Sequence, residues 1–181
     1  MNKPRTIAKS TGVPDLYRDP WQRPADVVWN TRFNQAIARL QAGGMVAMVG
    51  KRGGGKTRLA AEIVREGAPT TARYTTAMGL FLKIRDSYNG DGPKELAIIT
   101  ELAEASLLII DEIQERGNTD WEDRLLTHLI DLRYGSKMPT IIIGNLEPGA
   151  LIEALGSSIA SRFNEVGAIM EITGPSHRKQ A

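Results

Sequence analysis

Residues 50–57 read Gly-Lys-Arg-Gly-Gly-Gly-Lys-Thr, a match to GxxxxGK-S/T. No other stretch of the chain restricts its fold as tightly. Gly50, Gly53, Gly54 and Gly55 allow backbone conformations that a Cβ would forbid. Their N–H groups can then converge on phosphate oxygens at the start of a helix. The motif has meaning only between a buried strand and a helix, and both are legible here. Met45–Val49 is an unbroken apolar run, suited to a strand covered on both faces. Residues 56–66 carry a helical pattern. Lys56 is placed to reach the β- and γ-phosphates and Thr57 to offer its hydroxyl to Mg²⁺. Arg58, in the first helical turn, joins the nucleotide-binding set.

The remaining pattern extends this unit into an α/β domain. Trp29, Phe33, Ile37 and Leu40 recur at helical spacing before Gly43-Gly44. After the loop, residues 72–75 suggest a weak strand, and residues 77–88 and 94–104 read as helices divided by Asn89-Gly90-Asp91-Gly92-Pro93. Residues 107–110 and 140–144 are two more apolar runs, separated by a helical stripe over residues 125–132. Residues 147–155 and 157–163 read as short helices, and residues 168–172 as a last strand. Strands alternating with helices predict a three-layer α/β fold, a mainly parallel sheet with helices on both faces. Residues 1–29 contain Pro4, Pro14, Pro20 and Pro24 and little periodicity, so an extended, partly ordered arm is expected there. The core is expected over residues 30–174, with a short tail at 175–181.

The second chemical signal is Asp111-Glu112, which closes the apolar run at 107–110. Ligands of open α/β sheets bind at the carboxyl ends of strands. Asp111 suits a Mg²⁺ ligand, directly or through water, and Glu112 suits the base that activates water against the γ-phosphate. A second carboxylate favours hydrolysis over transfer to a small-molecule hydroxyl, the competing reading of the loop. Asn145 repeats the geometry at the end of the next buried run, where it can orient the attacking water or sense the γ-phosphate. Asn is also an ordinary turn residue.

Composition narrows the remainder. The 181 residues contain no Cys, which excludes disulfides, thiolate metal sites and a Cys nucleophile. No apolar run is long enough to span a bilayer, and the first residues lack a secretory apolar segment, so a cytoplasmic protein without membrane contact is expected. With 23 Lys plus Arg against 21 Asp plus Glu, net charge permits nucleic-acid binding without arguing for it.

Taken in order, the phosphate loop, the Asp-Glu strand end, the polar Asn and a downstream Arg resemble the AAA+ ATPases. Residues 121–146 and 155–167 are most similar to the DnaC/IstB-like group of helicase loaders and transposition helper ATPases. That resemblance spans about residues 30–178 and implies ATP and Mg²⁺ as cofactors, a replicative hexameric helicase and single-stranded DNA as partners, and self-association into a ring or spiral. It implies that Arg162, in Ser-Ser-Ile-Ala-Ser-Arg-Phe, is an arginine finger entering a neighbouring subunit's site; the plain alternative is a surface Arg at a helix end. Arg178 stands where the group carries a late sensor Arg, and Arg133 faces either a subunit interface or solvent. Only residues 174–181 follow the last strand, so the helical lid of many relatives is expected to be absent or minimal, and a phage or mobile-element loader is suggested. Initiator-type AAA+ proteins contact DNA between the loop and the acidic strand, which here contains Tyr74, Lys83, Arg85 and Tyr88. Tyr17, Trp21, Arg23 and Trp29 in the arm are candidates to dock a helicase or to line the adenine pocket, with Trp29 also fitting the first helix's buried stripe.

Overall fold

The computed structural model describes residues 5–21, 27–90 and 92–173. Arg23, Arg178 and the tail at 175–181 lie outside these residues. A parallel sheet is built from β1 (Met45–Val49), β2 (Ala72–Thr76), β3 (Leu107–Asp111), β4 (Thr140–Ile143) and β5 (Gly167–Glu171). Their spatial order is β2-β3-β4-β1-β5. The helices are α1 (Asp15–Arg18), α2 (Val27–Gln41), α3 (Lys56–Gly67), α4 (Ala77–Asp86), α5 (Glu95–Glu104), α6 (Asp120–Gly135) and α7 (Pro148–Val166).

Strand alternation sorts the core into two layers. Met45, Ala47, Val49, Leu108, Ile110 and Ile142 face α4, α5, α6 and α7. Val46, Met48, Leu107, Ile109, Ile141 and Ile143 face α2 and α3. Because both faces are covered, β1, β3 and β4 are buried throughout, which explains why they read as continuous apolar runs. Local chemistry fixes the helix ends. Thr119 and Glu122 form a reciprocal capping box at the start of α6, and Thr76 Oγ1 accepts the Gly79 N–H at 3.0 Å to start α4. The two short helices expected near the C-terminus are continuous as α7 except at Gly156, whose φ of 76° breaks the helical run.

β3 and β1 are not neighbours. β4 lies between them, so the carboxyl ends of β1, β4 and β3 stand side by side. These ends carry the phosphate loop, Asn145 and Asp111-Glu112 respectively.

The expected extended arm is a correction. Residues 5–21 contain a 3-10 turn at Lys9–Thr11 and α1, and they bury Ile7 and Val13 in the α2–α3 layer. The buried Arg65 of α3 holds them by donating to the carbonyls of Arg5 (2.9 Å), Tyr17 (2.9 Å), Arg18 (3.2 Å) and Asp19 (2.7 Å). Glu62, also buried, pairs with this guanidinium and compensates its charge. The chain's prolines interrupt helical periodicity without preventing a strap from docking.

Arg133 is a second correction. It faces neither solvent nor a subunit interface, since its relative exposure is 0%. Its guanidinium donates to the carbonyls of Leu102 (2.6 Å), Ala103 (3.0 Å), Ala105 (2.8 Å) and Pro139, and to Thr140 Oγ1 (2.8 Å). It thereby satisfies the orphan carbonyls at the end of α5 and joins them to the start of β4. Burial among neutral oxygens pulls its pKa below the ordinary arginine value. Arg133→Met is expected to lower stability by on the order of 2–4 kcal/mol, because several buried carbonyls lose the guanidinium that donates to them. Urea unfolding checks this, and nucleotide affinity of the folded fraction should be unchanged.

Candidate nucleotide site

A cleft of about 440 Å³ opens over the carboxyl ends of the central strands. Its floor is the phosphate loop. Gly53 and Gly55 line it at φ of 88° and 91°, conformations that favour glycine. At Gly50, with φ 122°, and at Gly54 an added Cβ would come within 2.8 and 2.9 Å of the Ile172 carbonyl oxygen. These glycines let the loop seat against the chain leaving β5, and Gly50 N–H donates to Leu146 O at 2.9 Å.

Lys56 is buried and folds back over the loop, its Nζ donating to Gly50 O and Lys51 O, both at 2.8 Å. Burial lowers its pKa from the ordinary lysine value, and the Asp111 charge opposes that fall. These contacts keep the ammonium at the cleft until an anion competes for it. Thr57 Oγ1 donates to Asp111 Oδ2 at 2.7 Å, which brings the residue after the loop lysine onto the last residue of β3. A hydroxyl and a buried carboxylate at that spacing are hard oxygen donors that fit Mg²⁺.

Glu112 has a left-handed backbone, φ 54° and ψ 46°, at the junction of β3 with the 3-10 turn Ile113–Glu115. This conformation turns its half-exposed carboxylate to the cleft, where Arg52 Nη2 stands 4.0 Å away. Asn145 also lines the cleft, with its backbone N–H donating to Gln114 Oε1 at 2.9 Å. Gln114 thus ties the end of β4 to the turn after β3. It carries no motif signal, because its partner is distant in sequence.

Part of the wall comes from the arm: Leu16, Tyr17 and Trp21 line the cleft. Arg58 holds them there. It donates to Leu16 O at 2.9 Å, and its guanidinium lies 4.8 Å from the Tyr17 ring centre and 5.3 Å from that of Trp21. Trp21 and Trp29 meet edge to face at 5.8 Å, and Trp29 stacks on Phe33 at 5.4 Å. Trp29 is therefore core, while Tyr17 and Trp21 form the aromatic wall.

Arg162 is not gathered into this cleft. It sits on α7, paired with Asp131 at 2.7 Å and over the Tyr134 ring at 5.7 Å. The residues considered for DNA contact also separate. Tyr74 turns inward, its hydroxyl donating to Asp111 Oδ2 at 2.8 Å, so it is not free to stack on a base. Burial first, then the Asp111 charge, push this phenol well above the ordinary tyrosine pKa. Lys83 reaches Glu101 at 3.5 Å, Arg85 lies 5.6 Å from the Trp121 ring centre, and the exposed Tyr88 bonds Glu95.

The sheet order, with a strand inserted between the phosphate-loop strand and the acidic strand, and the residues aligned at their ends define the fold of the AAA+ P-loop NTPases. The chain belongs to the IstB-like ATP binding protein family, whose profile matches residues 35–181. The replicative helicase loader DnaC of Escherichia coli is 28% identical over 116 residues, covering 63% of this chain and 47% of that protein. YdaV of Escherichia coli, itself uncharacterised, is 31% identical over 125 residues, 67% of this chain and 49% of that one. The chain therefore spans about half the length of the curated relatives it matches. The fold is shared with a crystal structure of the DnaC helicase loader (TM-score 0.66, 21% identity, 84% of this chain and 94% of that one). It is shared too with AMPPCP-bound DnaA of Aquifex aeolicus (TM-score 0.68, 16% identity, 88% and 51%).

If Arg65 is what holds the arm against the cleft, Arg65→Met should release it. Limited proteolysis is expected to cut within residues 5–21 of the variant well before the wild type. ATP affinity should fall at the same time, since Tyr17 and Trp21 leave with the arm.

Proposed function

We propose that the chain is an ATP-dependent replication factor that loads a replicative hexameric helicase onto DNA as a ring or spiral of its own copies. The observation that carries this reading is the division of the site. The cleft gathers a phosphate loop, a hydroxyl–carboxylate pair, a second carboxylate and an Asn, whereas Arg162 stands outside it on α7. A neighbouring copy presenting Arg162 would complete the site. The match to DnaC supports the replication role, and the cytoplasm of a bacterial or phage-infected host is the corresponding compartment.

In this reading the loop N–H groups and Lys56 bind the phosphates of ATP. Thr57 and Asp111 hold Mg²⁺, which when bound neutralises charge on the phosphate oxygens. Glu112 accepts the proton of the attacking water, and swings off Arg52 to do so. Asn145 orients that water. Arg58, Tyr17 and Trp21 wall the cleft. Arg162 exchanges Asp131 for the γ-phosphate of the adjoining copy.

Single-stranded DNA is a further proposed partner. One structural neighbour is a DnaA replication initiator bound to AMPPCP and single-stranded DNA. Lys83, Arg85 and Tyr88 of this chain are solvent-accessible despite their local pairings, and Tyr74 has no part in that contact. Membership of the IstB-like family favours one alternative, a transposition helper ATPase.

Affinity capture with a hexameric replicative helicase separates the two readings. The loader reading expects retention with ATP and weaker retention with ADP; capture of a transposase in place of the helicase would support the helper. Turnover is expected to fall about 10²-fold or more in Glu112→Gln and in Arg162→Ala. Mixing Lys56→Ala with Arg162→Ala subunits should restore part of the hydrolysis, since some interfaces then carry an intact cleft facing an intact Arg162. Mixtures as inactive as either variant alone would rule out a finger acting between copies.

A further inference from the structure

Tyr74 is a polar side chain in the α2–α3 layer, and neither the phosphate-loop motif nor the acidic pair accounts for it. It lies on edge strand β2, in register with Ile109, and Thr76 pairs with Asp111. Its hydroxyl and that of Thr57 both donate to Asp111 Oδ2, at 2.8 and 2.7 Å. The Glu112 N–H donates to Asp111 Oδ1 at 2.7 Å. Three donors from β2, α3 and the end of β3 therefore fix the plane of a carboxylate that is only 4% exposed. The arm packs on the backbone of β2. Gly12, at φ 79°, comes so close to Tyr74 that an added Cβ would stand 2.5 Å from the Tyr74 carbonyl oxygen.

We infer that Tyr74 is a positioning residue for the divalent cation: through Asp111 it sets how strongly the cation and ATP bind each other's complex. The inference rests on the reading of Thr57 and Asp111 as the Mg²⁺-holding pair. The physical argument is directional. Without Tyr74 the carboxylate keeps one donor on each oxygen, Thr57 on Oδ2 and the Glu112 N–H on Oδ1. The tyrosine hydroxyl, arriving from a different strand, gives Oδ2 a second fixed donor and narrows its remaining motion before the cation arrives. Partners of this kind, which orient a metal-holding group without touching the metal, typically contribute about 10–100-fold to metal affinity. Replacing Tyr74 with Phe removes a donor and leaves no unsatisfied donor behind, so the ring can keep its packing.

The test is a set of fluorescent-ATP titrations in EDTA and in Mg²⁺ with the full chain, read as the ratio of the two Kd values. Tyr74→Phe is expected to keep the wild-type Kd in EDTA and to lose about tenfold of the tightening that Mg²⁺ produces. In an Asp111→Ala background the same substitution should change nothing further, because the tyrosine acts through that carboxylate. A Mg²⁺ ratio equal to wild type overturns the inference. So does an equal loss in EDTA and in Mg²⁺, which a merely structural tyrosine would give, or an added loss beside Asp111→Ala. A wild-type protein whose ATP affinity ignores Mg²⁺ overturns the metal reading itself, and this inference with it.

Discussion

The Asp111 carboxylate is buried, yet it accepts hydrogen bonds from Thr57, from Tyr74 and from the Glu112 backbone. A buried anion is costly unless its oxygens are matched by donors. Here each donor arrives on a different piece of backbone, so satisfying the charge requires α3, β2 and the end of β3 to be in place together. The rest of the site inherits that alignment. α3 begins at the phosphate loop, so fixing Thr57 fixes Lys56 and the loop; β3 continues into Glu112, so fixing Asp111 fixes the second carboxylate. Local chemistry and global topology are thereby coupled through one side chain.

α3 is also the element on which the arm depends. Arg58 at its first turn and Arg65 near its end hold the same strap at two points, Arg58 by one carbonyl and two rings, Arg65 by carbonyls alone. One face of this helix thus joins the phosphate floor to the aromatic wall of the cleft. Arg133 does comparable work on the opposite layer by closing the end of α5 onto β4. In both cases an arginine is buried because its planar fork can satisfy several carbonyls at once, which a lysine cannot do in the same geometry.

Arg162 stands apart from these buried cations. It pairs with Asp131 of α6 and with Ser158 one turn back on its own helix, and its environment is partly open. An arginine whose one ionic partner is a half-exposed carboxylate can leave it at modest cost. The buried arginines cannot. That contrast is consistent with the role proposed for Arg162 outside its own chain.

The phosphate loop, the apolar strands, the acidic pair and Asn145 are local patterns, and they were legible because each is a contiguous run whose chemistry is read without knowing the fold. Arg133, Arg65, Gln114 and Tyr74 were not legible in this way. Arg133 and Tyr74 resemble residues of a solvated face or a nucleic-acid surface when only neighbours in sequence are considered. Their partners lie far along the chain: Leu102 for Arg133, Asp111 for Tyr74, Arg5 for Arg65, Asn145 for Gln114. The sequence by itself determined the class of fold and the chemistry at the strand ends, because glycine conformation, apolar runs and carboxylate identity are properties of short segments. The tertiary structure alone decided that the arm walls the cleft, that Tyr74 faces Asp111 and that Arg133 is buried, because burial of a polar side chain depends on distant acceptors.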